Sequence, residues 1–136
     1  MTEPPVAVRY AESDDDVIEI HKFLCVVAGP NLPGPVNPLK SINEVWRVVH
    51  DEFALMAMQD GRLVGTLGVI RADFWWGDVP FFANRWAFCL RDAKAWKPLL
   101  REAKSIAKEC GVEFHLISEA RGRITIFNRS PDRSRH

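Results

Sequence analysis

The sequence predicts a single α+β domain with a mixed, mostly antiparallel sheet flanked by helices, and three observations carry that expectation. A short alternating run near the start is followed by two segments with helical periodicity. A central block of β-type runs contains a hairpin dipeptide. A strongly amphipathic segment then leads straight into one more β-type run. Strands and helices in this order, on a chain of 136 residues, fit one sheet and one domain rather than two.

Taken in order, "VAVRYA" (Val6 to Ala11) alternates and suits a first strand. "ESDDD" follows, offering Ser13 or Asp14 as an N-cap with carboxylates in the first turn, where the helix dipole favours them. The helix "DDDVIEIHKFLCVVA" places Val17, Ile20, Leu24 and Val27 on one face and must stop at Gly29-Pro30. "GPNLPGPVNP" is loop. "PLKSINEVWRVVHDE" restarts as a helix, with Leu39, Ile42, Val45, Trp46 and Val49 as its apolar stripe.

"FALMAMQDGRLVGTLGVI" reads as two strands joined at Asp60-Gly61, a dipeptide suited to the positive φ angles of a tight hairpin. "RADFWWGDVPFFANRWAFCL" extends the strand character, with a break at Gly77-Asp78 and Pro80, and so predicts a three-stranded antiparallel meander. "KPLLREAKSIAKECG" is a helix with Pro98 in its first turn. Leu99, Ala103, Ile106 and Ala107 form its buried face, and Gly111 its C-cap. "VEFHLIS" is a strand. "ISEARGRITIF" is either a short hairpin turning near Arg121-Gly122 or a last helix, and Ile124, Thr125, Ile126 and Phe127 favour the hairpin. The domain spans residues 1–128, and the arginine-rich segment 129–136 reads as a polar, disordered tail.

Composition narrows the function classes. The chain is 47% apolar and 26% charged with a formal net charge of zero, which predicts no general attraction to nucleic acid or membrane. Arg121, Arg123, Arg129, Arg133 and Arg135 are diluted by Glu119 and Asp132, so the basic end reads as solvated. "MTEPPVAV" carries no basic, apolar leader and no run reaches membrane length, so a cytoplasmic protein is expected. Cys25, Cys89 and Cys110 lack metal or redox spacing and are expected as reduced, buried thiols. His21, His50, His115 and His136 are scattered, with no metal-ligand pairing, and no metal is expected. Asp73 and Asp78, beside "FWWG", suit either general bases or turn residues, and the turn reading is preferred. Phe74, Trp75, Trp76, Phe81, Phe82, Trp86 and Phe88 form an aromatic belt. Adjacent pairs cannot share a sheet face, so an exposed side would suit a partner, including a homo-oligomer.

The element order, the phrase "DGRLVGTLGVI" and the run "LLREAKSIAKECGVEF" together resemble the GCN5-related N-acetyltransferase (GNAT) superfamily across Val6 to Ser118. The resemblance implies the acyl-CoA N-acyltransferase fold, shortened at its C-terminal end, and transfer of an acetyl group from acetyl-CoA to a small-molecule or protein amine. The family's cofactor motif, Q/R-x-x-G-x-G/A, ends just before the main helix and holds the pyrophosphate on backbone amides. Counting back from Leu99-Leu100 puts Arg91 on its first position and Lys94 and Trp96 on its two small positions. The implied cofactor-binding stretch is Leu90, Arg91, Asp92, Ala93, Lys94, Ala95 and Trp96, with Arg91, Lys94 and Lys97 as cations beside the helix N-terminus. The family's general-acid tyrosine has no counterpart, because Tyr10 lies on the first strand, and the catalytic residues stay unassigned. The competing expectation is a relative that keeps the fold without CoA and serves as a binding or assembly module.

Overall fold

The structure is a computed structural model that describes residues 4–32, 34–120 and 123–126. Its elements are β1 (Ala7–Tyr10), α1 (Asp14–Val27), a 3₁₀ turn (Gly29–Asn31), α2 (Pro38–Asp51), β2 (Phe53–Gln59), β3 (Arg62–Ala72), β4 (Phe81–Cys89), α3 (Trp96–Glu109), β5 (Phe114–His115), β6 (Ile117–Ala120) and β7 (Arg123–Ile126). A five-stranded sheet runs β1-β2-β3-β4-β5, and β6 and β7 form a separate two-stranded ribbon. All sheet pairings are antiparallel except β4 with β5. The predicted α+β order, with its antiparallel meander and the hairpin at the end, is the order observed.

Local chemistry accounts for the element ends. Ser13 Oγ accepts from the Asp16 N–H (3.1 Å), while the Asp16 carboxylate accepts from the N–H groups of Ser13 and Glu12, a reciprocal capping box. Arg9 of β1 donates to both oxygens of Asp16 (2.8 and 3.1 Å), which ties the first strand to the first helix. Asn37 caps α2, with Pro38 at its first helical position. At the β2–β3 turn Asp60 (φ 53°) and Gly61 (φ 73°) both take positive φ, as a two-residue hairpin of this hand requires.

The sheet is covered on both faces. On one side Leu99, Ala103, Ile106 and Ala107 of α3 pack on Leu55, Ala57, Val64, Leu67 and Val69. On the other, Val17, Ile20, Val45, Val48 and Val49 of α1 and α2 pack on Ala54, Met56, Leu63 and Trp86. Each large aliphatic side chain buried this way stabilises by roughly 1.5–3 kcal/mol. Burial on both faces explains why β2 and β3 read as nearly unbroken apolar runs.

Several expectations are corrected. The stripe of α2 is Ile42, Val45, Val48 and Val49, whereas Leu39 and Trp46 are exposed and Trp46 lies against the His50 ring (4.4 Å). Both registers are apolar at helical spacing, and the sheet selects the branched set. Cys25 and Cys110 are exposed rather than buried, and Cys89 is half-buried; all three are free. Phe81 and Phe82 are both buried although they face opposite sides. Phe82 joins the α3-side core, while Phe81 stacks on Phe74 (4.4 Å) and meets His115 edge-on. Trp75 and Trp76 are both exposed on the β3–β4 loop. "VEFHLIS" is split, with β5 only Phe114–His115. The segment 129–136 lies outside the described residues. Among the described residues no helix is long and apolar enough to cross a membrane.

Candidate active site

Among the described residues the only parallel pairing is where the sheet opens. β4 and β5 are in register at Phe82–Phe114 and Ala83–His115, and there the pairing ends. The next residue, Asn84, puts its side-chain amide between the strands. Its Nδ2 donates to Ile117 O (3.0 Å), and its Oδ1 accepts from the Ile117 N–H (2.7 Å). An amide inserted where a peptide group would pair holds the two chains further apart than the ordinary strand spacing. Beyond it, β4 has a strand partner only on the β3 side among the described residues.

A bulge sits at the same point. Gly68 pairs with Trp86 and Val69 with Asn84, so Arg85 has no residue opposite. The inserted residue reverses which peptide groups face out. Before it, the Phe82 N–H reaches Glu113 O; after it, the Leu90 N–H reaches Val64 O on β3 (2.8 Å). By alternation, the peptide groups of Ala87 and Cys89 face the open edge.

At the end of β4 the chain passes through Leu90–Ala95 into α3. Ala93 and Ala95 are buried against the sheet, and Lys94 between them has φ 53°. Thus Lys94 itself takes the left-handed conformation for which glycine is the usual choice. The small residues packed on the sheet are Ala93 and Ala95, not positions 94 and 96. Ala95 fits because β3 carries glycine opposite: a Cβ on Gly65 would lie 2.8 Å from Cys89 Sγ and 3.1 Å from Ala95 Cβ. The loop is short because β4 continues to Cys89, well past Trp86.

Unlike α1 and α2, α3 has no side-chain cap. The N–H groups of Lys94, Ala95, Trp96 and Lys97 have no hydrogen-bond partner among the described residues. Arg91, Lys94 and Lys97 are exposed, and none of them is in an ion pair among the described residues. Free N–H groups, the positive end of a helix and three unneutralised cations form a place that favours an anion.

On the α1–α2 side of β4 lies a cavity of about 570 Å³, lined by α1, the 28–37 connection, α2 and β4. Leu24, Val45, Trp86 and Phe88 are apolar walls, and His21, Cys25, Asn37, Lys40, Ser41, Glu44 and Arg85 are the polar and titratable ones. His21 Nε2 lies 2.7 Å from Ser41 Oγ across the α1–α2 gap and 3.6 Å from Cys25 Sγ on its own helix. Glu44 accepts from Arg47 and from Arg85. The Arg47 guanidinium first, and Arg85 second, hold its carboxyl down at about 2. A carboxylate so held is a poor proton acceptor at neutral pH.

Sequence reasoning found the loop but not this cavity, because its residues come from separate elements and carry no local motif. The only hint was His21 four residues before Cys25. Asp73 and Asp78 are exposed in the β3–β4 loop, away from the cavity lining. Tyr10 is on β1, at the opposite edge of the sheet from the opening. Cys89 is half-buried, and desolvation pushes its thiol up to about 12, which suits packing rather than nucleophilic attack.

No family model matches the chain, and no curated protein matches it in sequence. Solved structures do. A GNAT family acetyltransferase from Staphylococcus aureus is 20% identical over 92% of this chain and 94% of that one, with a TM-score of 0.61. An aminoglycoside 6'-N-acetyltransferase from Acinetobacter baumannii is 12% identical over 93% and 99%, with a TM-score of 0.68. A ribosomal-protein-alanine N-acetyltransferase from Brucella melitensis is 18% identical over 86% and 81%, with a TM-score of 0.65. The mixed five-stranded sheet flanked by helices therefore has the fold of these GNAT acetyltransferases.

Proposed function

We propose that the protein is an N-acetyltransferase that uses acetyl-CoA and acetylates an amine held in the cavity between α1, α2 and β4. The observation that carries this reading is the run of unpartnered N–H groups from Lys94 to Lys97, beside Arg91, at the foot of a strand whose outer edge is open. The backbone of Lys94–Lys97, with Arg91 and Lys94, suits phosphate groups, and Leu90, Asp92, Ala93, Ala95 and Trp96 shape that loop. The outward peptide groups of Ala87 and Cys89 suit an amide-containing arm, bonded as an added strand would be. From Leu90 back to Arg85 such an arm covers roughly 16 Å of strand and ends at the cavity.

Acetyl-CoA supplies the acetyl group already activated as a thioester. The chain's own task is to place the acceptor and free its amine of a proton. Glu44 is committed to two arginines, and Lys40 and Arg85 are cations. His21 offers an imidazole nitrogen that can take a proton, and Ser41 Oγ lies 2.7 Å from its Nε2, so His21 is the acceptor's base, oriented by Ser41.

The competing reading, a fold retained without CoA, draws on the bulky Trp96 at the first turn of α3. One experiment separates the two. Millimolar acetyl-CoA should raise the melting temperature by several degrees, and adenosine 3′,5′-bisphosphate by less. A ligand at a hundredfold excess over its Kd stabilises by about 2.7 kcal/mol. No shift with either compound overturns the acetyltransferase reading. His21→Gln should lower kcat about 100-fold while leaving the acetyl-CoA shift in place.

A further inference from the structure

The cavity's charges are not balanced, and this bears on what it accepts. Among the described residues Glu44 is the only acid in the lining, and both its oxygens are in use. Oε1 takes Arg47 Nε (2.8 Å), and Oε2 takes Arg47 Nη2 (3.1 Å) and Arg85 Nε. Arg47 holds it without itself lining the cavity. Arg85, by contrast, spends only Nε on this pair. Its two terminal nitrogens, and the Lys40 ammonium, have no partner among the described residues. The bulge explains how Arg85 comes to line the same cavity as Trp86 and Phe88, since an inserted residue re-aims a side chain that strict alternation would send elsewhere.

The remaining lining is mostly apolar: Leu24, Ala28, Leu32, Val36, Val45, Trp86 and Phe88 contribute to it. A polycation entering such a space meets two like charges and no free carboxylate. A carboxylate meets a planar guanidinium with both terminal nitrogens open, the geometry of bidentate recognition.

Building on the acetyltransferase reading, we propose that the acceptor is a small amine bearing a carboxylate and an apolar body, such as an apolar amino acid, and that Arg85 is the residue that reads the carboxylate. A cavity of about 570 Å³ has room for a molecule of that size. Structural neighbours whose names give aminoglycosides as substrates share the fold. The fold therefore leaves the acceptor open, and the side chains of the cavity must decide it.

The test uses matched probes: leucine and phenylalanine against isoamylamine and phenethylamine, which keep the body and lose the carboxylate, with kanamycin as a polycation. Binding is read by calorimetry and thermal shift on the protein alone, and transfer by release of the CoA thiol. The amino acids should bind about tenfold or more tightly than the matched amines, and kanamycin least. Arg85→Gln should collapse that ratio, with the loss in KM rather than kcat, and Arg85→Lys should restore part of it. Lys40→Gln, on the exposed surface of α2, should reduce the ratio without endangering folding. Equal or better binding of the amines or kanamycin overturns the inference, as does a preference that survives both Arg85→Gln and Lys40→Gln. Amino acids that bind with no thiol release and no acetyl-CoA shift support the carboxylate site and overturn acetyl transfer. An acetyl-CoA shift with acetylation indifferent to the carboxylate does the reverse.

Discussion

Trp86 and Gly68 show how much of the cavity rests on single residues. A Cβ on Gly68 would lie 2.7 Å from the Trp86 ring, so the indole can lie flat on β3 only because nothing is there. Its Nε1 then donates to Thr66 Oγ1 (3.0 Å), and Thr66, fully buried, donates on to Leu55 O (2.9 Å). Every polar atom of that chain is satisfied, which a buried hydroxyl requires. Gly68→Ala should therefore cost about 1–3 kcal/mol in urea denaturation and displace the wall that Trp86 gives the cavity. A change within about 0.5 kcal/mol, the range of an ordinary surface substitution, would show that the ring moves freely. The glycines of "GRLVGTLG" were visible from the start, but their partners, Ala95 and Cys89 on one face and Trp86 on the other, are far along the chain.

Between elements the decisive feature is the wedge between β4 and β5. "VEFHLIS" is strand-like throughout, yet the parallel pairing stops after His115 because the Asn84 amide occupies the next position. Asn84→Leu keeps the bulk and removes both bonds, leaving the Ile117 N–H and C=O unpaired. The expected cost is about 1–3 kcal/mol by denaturation, with faster hydrogen exchange at the Ile117 amide. Unchanged exchange there would mean that the strands diverge for another reason. The ends of the helices make a related contrast. A capping box closes α1, and Asn37 closes α2, but α3 begins with its N–H groups uncommitted. A helix start beside three cations and without a cap is a standing place for an anion.

For the whole molecule, two ion-paired carboxylates link stability to pH. The Asp16 carboxyl is held well below the usual range by its hydrogen bonds with Arg9, and that of Glu44 at about 2 by Arg47 and Arg85. Both are depressed in the folded state, so the unfolded chain binds protons first as pH falls. Their stabilisation is complete above the unfolded carboxylate value of about 4 and is lost as pH drops towards the folded values. The urea midpoint should be level near pH 6 and fall steadily below about pH 4. Glu44→Gln should make that fall shallower; an identical slope would show that the Arg47–Glu44–Arg85 cluster contributes nothing on balance.

Order, type and approximate bounds of the elements were legible in the amino-acid sequence, since periodicity, Pro and Gly punctuation, caps and the Asp60-Gly61 turn all act over a few residues. So was the burial of Leu99, Ala103, Ile106 and Ala107, because a helix with a single apolar stripe has only one face to bury. Counting along the chain put Lys94 and Trp96 on the two positions where the resembled motif has small residues, and Lys94 does take a positive φ. It could not show that Ala93 and Ala95 are the residues packed on the sheet, because the contact of Ala95 with Gly65 is long-range. Nor could it choose between the two stripes of α2, which differ only in what lies opposite. The cavity with His21, Ser41, Glu44 and Arg85 was hidden for the same reason. Its members stand up to 64 positions apart, from 21 to 85, and are brought together only when α1 and α2 dock on the bulged strand. Local sequence determined the parts because their energies are local; long-range packing alone decided the site.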